Sequence, residues 1–194
     1  MWFHKERKFE GWYFKQENEK EAFAVIAAIH NNKASIQIIT KNESYLFHFN
    51  RDYEVITRKE VPPKVRIGKN YFSRNHLILN IHRDHIWIQA NIKYLNPHLP
   101  KRSMVGPFQY MYFMPCIHEV FNISNTAVGK MIIQKKNSHY KVKLKDAIGY
   151  IEGDKGNSFP EKYLWTQGSF GNGSLECIAT AGATLSCGYG KISD

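Results

Sequence analysis

The chain has 194 residues, room for one sizeable core and at most two domains. Apolar residues at 43% exclude a disordered chain, and aromatics at 14% favour strands over helices. The net charge of +10 admits an anionic partner, but the basic residues are scattered, with Lys135-Lys136 the nearest to a run.

No helix-turn-helix, zinc-finger or RNP-type signature accompanies that charge, so no specific nucleic-acid partner is expected. Cys116, Cys177 and Cys187 make an odd count without CxxC spacing, which points to reduced thiols rather than a secreted disulfide framework. Residues 1–15 are charged and carry no apolar h-region, so no signal peptide is read there. The longest clean apolar run, 23–29, is too short to cross a bilayer. The expected location is cytoplasmic, with peripheral contact at a membrane left open by the charge.

In chain order, the aromatic segment 9–15 puts Trp12 and Phe14 on one strand face and Tyr13 on the other. Residues 21–30 and 33–40 flank Asn31-Asn32, whose tolerance of positive φ predicts a hairpin. Residues 44–49 read as another strand, and Pro62-Pro63 breaks the pattern. A second hairpin is predicted from 76–82 and 85–93 around Arg83-Asp84, with Leu77, Leu79 and Ile81 on one face and Ile86, Ile88, Ala90 and Ile92 sharing another. The stretch 96–107, with Pro97, Pro100 and Pro107, predicts a long loop or a junction between two halves of the sheet. Further strands are expected near 117–124, 128–134, 139–145 and 162–167. Residues 171–194 are rich in small residues; one strand near 175–180 and a frayed end are expected, leaving 1–170 as the β domain. Short strands joined by turns, with no three-turn amphipathic helix, predict a β-barrel or sandwich.

Two segments are unusual. One is Phe9-Glu10-Gly11-Trp12-Tyr13-Phe14-Lys15; the other runs from Gly149-Tyr150-Ile151-Glu152-Gly153-Asp154 to Phe159-Pro160, followed by Trp165 and Gln167. Together they resemble the tocopherol cyclase family, which shares an FEGWYFK-like opening and a later GY-x-E-x-D-x-G-x-x-FP…W-x-Q stretch. A weaker match is Gly106-Pro107-Phe108 leading into Cys116-Ile117-His118. The resemblance spans residues 9 to about 170 and implies an all-β, antiparallel lipocalin-like (calycin) barrel or strongly curved sheet, incomplete at its C-terminus. Lys155 stands where the family commonly has Trp, and Ile117 where it has an aromatic. Gln167-Gly168-Ser169-Phe170 shortens the family's Gln-x-Asn-x-Phe ending, and the apolar strands that follow it in the family have no counterpart here. A shortened or degenerate member, or a sheet completed in a homodimer, is left open.

The chemistry the resemblance implies is closure of a prenylated quinol to a chromanol, an intramolecular cyclisation with neither metal nor cofactor. It needs a buried general acid, a wall that tolerates positive charge, and exclusion of water. Glu152 and Asp154 are the acid candidates; alternation puts them on one face with Tyr150, where each carboxylate raises the other's affinity for a proton. The turn-like composition after Asp154 equally suits a capping role for it. His118 is the candidate base or orienting group, and equally a structural histidine. Trp12, Phe14, Phe159, Trp165 and Gln167 complete the expected ligand site, with the indoles facing a developing cation or simply filling the core. His82-Arg83-Asp84-His85 fits a hairpin turn better than a zinc site, so no metal is expected. Three readings therefore stand. The chain is a cyclase-like enzyme acting on a hydrophobic small molecule, a lipocalin-like carrier of one, or a basic protein docking through Lys130, Lys141, Lys143 and Lys145.

Overall fold

The computed structural model describes residues 8–101, 103, 115–158, 163–170 and 173–180; in the last two stretches only side chains 166–168 are included. Eleven strands form one antiparallel sheet in the order β4-β3-β2-β1-β11-β10-β9-β8-β7-β6-β5, and a separate pair is β12-β13. The large sheet curls into a lipocalin-like barrel that is nearly closed, with one unsealed seam.

The first hairpin, β2 (Ala22–His30) and β3 (Lys33–Thr40), turns at Asn31 and Asn32 with φ of 48° and 60°, the mirror-image turn whose twist matches the strands. The second joins β8 (His76–Arg83) to β9 (Ile86–His98). Its turn residues are Asp84 and His85, φ 51° and 63°, one position later than the sequence suggests. Leu77, Leu79 and Ile81 are buried as expected, opposite Ile92, Ala90 and Ile88. Around β4 (Ser44–Asn50), the stretch 51–72 holds three strands that hydrophobic pattern alone did not reveal: β5 (Tyr53–Thr57), β6 (Lys64–Ile67) and β7 (Asn70–Phe72). They are short, and the proline pair between β5 and β6 masks their period.

Two longer corrections follow. The segments 117–124 and 128–134 are one strand, β10 (Cys116–Lys135), kept continuous by three register shifts. Its partner β11 (Ser138–Gly156) carries residues 149–156 of the second motif in extended form, so Asp154 stands in a strand rather than in a turn. β9 also runs through Asn96 and Pro97 to His98, so the expected loop starts later; residues 104–114 lie outside the described residues. In the tail, β13 (Gly173–Thr180) pairs with β12 (Tyr163–Phe170), and 181–194 lie outside the described residues.

β11 pairs with β1 (Phe9–Glu17), so the barrel closes on its C-terminal side and the seam falls between β4 and β5 instead. β5 has no fully buried residue, which leaves it little to gain by pairing onward. The seam is bridged by side chains and turns. Gly68, in the β6–β7 turn, lies so close to Phe49 of β4 that a Cβ on it would come 2.9 Å from the Phe49 ring. Arg83 donates to the His48 carbonyl and lies 4.5 Å from the Phe49 ring centroid. Such cover blunts an open edge. The ten residues 138–147 of β11 extend past β1, and there Lys141, Lys143 and Lys145 are exposed, with Lys130 opposite Lys143. Lysines along an open edge discourage further strand pairing.

The interior is packed by rings from opposite walls. Phe14 of β1 lies 5.8 Å from Phe72 of β7 and stacks on Tyr94 of β9 at 6.2 Å. Burying each such ring contributes about 1.5–3 kcal/mol. Gly129 has φ of 154°, and a Cβ there would sit 2.1 Å from the Asn91 carbonyl oxygen, a backbone atom that cannot step aside. Gly129→Ala is therefore expected to cost about 2–4 kcal/mol in urea unfolding, combining backbone strain with overpacking.

Burial also raises the phenols of Tyr94, Tyr13 and Tyr140 above their ordinary value near 10; Gln16 opposes the rise at Tyr94, while Glu152 and Glu17 add to it at Tyr13 and Glu21 at Tyr140. These groups keep their protons in the fold at a pH where the unfolded chain releases them. Their stabilisation is complete below about pH 10 and is lost as pH rises toward the folded values. Urea midpoints should hold steady up to that point and then fall, with phenolate absorbance lagging behind that of the denatured chain.

Candidate functional site

The β1–β11–β10 wall has two buried faces. Trp12 pairs with Gly153 and Phe14 with Ile151, and this set faces the barrel interior. Tyr13 pairs with Glu152, which pairs in turn with Val120; Gly11 pairs with Asp154, which pairs with His118. This second set faces outward, where Val120 and Tyr150 form a separate apolar cluster with Tyr13 and Ile123 against it. Lys15, on the same outward face, donates to Gln167 Oε1 at 2.7 Å and pairs with Glu17 at 2.8 Å, tethering β12 to the wall.

On that outward face four polar side chains form a continuous row. Tyr150 donates its hydroxyl to Glu152 Oε2 at 2.6 Å. His118 Nε2 stands 3.5 Å from the same oxygen, and its Nδ1 is 2.9 Å from Asp154 Oδ1. Cys116 Sγ lies 3.8 Å from that Asp154 oxygen. Glu152 is 5% exposed, the one charged side chain that is buried among the described residues. An imidazole held between two carboxylates can take a proton at one nitrogen and release one at the other. Burial, with the charge of Glu152 and then Glu17, pushes the Tyr13 phenol up, so Tyr13 stays a neutral wall beside the row.

The backbone fits closely here. A Cβ on Gly153 would come 2.6 Å from Phe121 Cε2 and 2.7 Å from the Gly11 carbonyl oxygen. Glycine between Glu152 and Asp154 thus lets β1 and Phe121 close over β11. Beside this point a cleft of about 200 Å³ opens where β1 and β10 begin and β11 ends. Trp12, Ile117, Phe121, Val61 and Pro63 give it apolar walls, and Asp154 reaches its lining. Arg58 pairs with Glu10 at 2.8 Å beside it.

The expected site is therefore only partly assembled. His118, Tyr150, Glu152 and Asp154 come together, while Gln167 is held by Lys15, which pairs with Tyr150 across β1 and β11. Trp12, 2% exposed, and Phe14 lie on the opposite face, so the picture of carboxylates inside an aromatic hollow is corrected. The reason is strand alternation: residues 12 and 14 align across β1 and β11 with 153 and 151, not with 152 and 154. Phe159 lies outside the described residues. Trp165 pairs with Ile178 in the β12 backbone, and its side chain is likewise outside them. Cys116 was not expected at the site, although its spacing of two from His118 already put both on one strand face. The Arg58–Glu10 pair joins residues 48 apart in sequence and left no local signal.

Fold and cluster together define a lipocalin-like β-barrel with an acid–base row on the outside of its wall. A scan of family models finds no match to the chain, and no curated protein matches it.

Tyr150 is 1% exposed, and its hydroxyl bonds a buried carboxylate. Tyr150→Phe should lower unfolding free energy by about 1–3 kcal/mol, because Glu152 loses a donor that water cannot replace. Chemical denaturation measures this directly. A neutral result would mean that Glu152 is solvated by another route.

Proposed function

We propose that the protein binds a hydrophobic ring compound in the cleft at the barrel mouth and transfers a proton to it. The row of Asp154, His118, Glu152 and Tyr150 carries this reading: it is a relay whose outer member, Asp154, lines the cleft. The motif resemblance supplies the substrate class, a prenylated quinol or related terpenoid.

In this mechanism the Asp154 carboxyl protonates the alkene and leaves a tertiary cation. The phenol oxygen adds to that cation, forming the new C–O bond, and its proton returns to the Asp154 carboxylate. That return restores the acid with no net redox change, and His118 shares the proton between Asp154 and Glu152 between turnovers. Trp12 and Phe121 in the cleft wall offer ring faces to positive charge, worth about 0.5–2 kcal/mol each. At about 200 Å³ the cleft suits a single ring head group, with the tail extending outward. The apolar wall of Trp12, Ile117 and Phe121 also favours a second reading, a carrier that holds such a ligand with no chemistry.

The test is incubation with a prenylated quinol, scored for chromanol by chromatography and mass spectrometry. Asp154→Asn should lower turnover by about 100-fold or more and Glu152→Gln by less, because Glu152 acts through His118. Cyclisation that survives both substitutions removes the acid assignment. Saturable quinol binding by wild type without any chromanol establishes the carrier.

A further inference from the structure

Four neighbouring strands, β8, β9, β10 and β11, share a continuous outer face. Their inward residues are buried, as in the row Leu79, Ala90, Met131, Val142 that runs straight across them. The alternate positions point outward. Over 76–82, 87–95, 128–134 and 139–145 these outward positions hold Lys93, Lys130, Lys141, Lys143 and Lys145, and no aspartate or glutamate. All five lysines are exposed. Among the described residues none of them pairs with a carboxylate, whereas Lys15, Lys64 and Lys135 each do.

This charge is concentrated at some cost to the fold. Lys130 stands directly opposite Lys143, and like charges opposed across two strands are destabilising. Protection of an open edge explains the lysines of β11. It does not explain Lys130 or Lys93, because β10 and β9 each have a strand on both sides. The carboxylates nearest in sequence, Asp84 and Asp146, lie in the β8–β9 turn and at the register shift beside Val128, so they border the lysines.

Apolar side chains are set among the lysines. Trp87 is 43% exposed, Leu95 46% and Val128 36%, three of the seven large hydrophobic side chains exposed in the described residues. Val128 pairs with Lys93, and Ile132 with Lys141. A shallow hollow of about 240 Å³ opens on the same face, with Ile78, Lys130 and Ile132 in its lining.

We propose that this face docks the protein on an anionic lipid surface. The lysines complement the headgroup charge, and their stems lie along apolar surface while the ammonium groups reach outward. Trp87 belongs at the level of the headgroups, where an indole has both an apolar body and a polar edge to place. The chemistry of the face favours lipid over nucleic acid. Its outward positions contain no arginine, the residue whose fork reads phosphates and base edges. Trp87 is their one Phe, Tyr or Trp, too few for a stacking platform. The surface is separate from the cleft and does not rest on the reading given to it.

The test is co-sedimentation of the full chain with phosphatidylcholine vesicles, with and without about 30% phosphatidylserine. Uptake by the anionic vesicles should be at least about tenfold stronger and should fall as salt rises. Lys130→Gln with Lys143→Gln should weaken it by about twentyfold, since one lysine at such a surface contributes about fivefold. The same two substitutions should hold or raise the urea midpoint, because they remove opposed charges. Lys33→Gln with Lys41→Gln takes the same net charge from exposed positions outside the four strands and should change uptake by less than about twofold. Equal uptake on the two vesicle types, no uptake, or an equal loss from the two sets of substitutions overturns the proposal. So does tighter binding of a single-stranded oligonucleotide, which would make nucleic acid the partner.

Discussion

Neighbouring side chains on a β-strand point to opposite sides, and the β1–β11–β10 wall must satisfy that rule with both faces buried. Inside, Trp12, Phe14 and Ile151 join the main core. Outside, Tyr13, Tyr150 and Val120 pack around Glu152. The residues of 9–15 and of 149–156 are assigned to one side or the other by this alternation. A site that needed Trp12 and Glu152 on one surface of the wall is not available. One that uses the end of the wall, where the cleft meets both faces, is.

The wall departs from regular pairing on β10. Its register shifts let a 20-residue strand follow the barrel while changing which side chains face in. Before the first bulge, His118 and Val120 face the acidic row. After it, Asn122 and then Asn125 face the interior. His118 and the two asparagines thus share one strand and are kept on opposite sides of it. The neutral tyrosines on either side add to this separation, because burial opposes the ionisation of both and the charges of Glu152 and Glu17 add to it at Tyr13.

Where the sequence pattern was strong, it was a good guide to the fold. Asn31-Asn32 marked its turn, and the alternation of Leu77, Leu79 and Ile81 marked a buried face. Residues 53–72 were illegible because strands of three to five residues carry too few alternations to register, and Pro62-Pro63 interrupts them. The second turn was read one residue early because Asp84 and His85 give less composition signal than an Asn pair. At the candidate site, alternation alone put Tyr150, Glu152 and Asp154 on one face. That His118 would bridge the two carboxylates needed the register of β10 against β11.

Local sequence, then, decided the strand-rich class of the fold, its main turns and which residues within a strand share a face, because these follow from backbone sterics and a period of two. Tertiary structure decided which face looks inward, where the seam falls, and that Asp154, His118 and Glu152 meet. Those outcomes depend on pairings between segments far apart in the chain, such as His118 with Asp154 at a separation of 36 residues. No local pattern encodes the register or the bulges that set them.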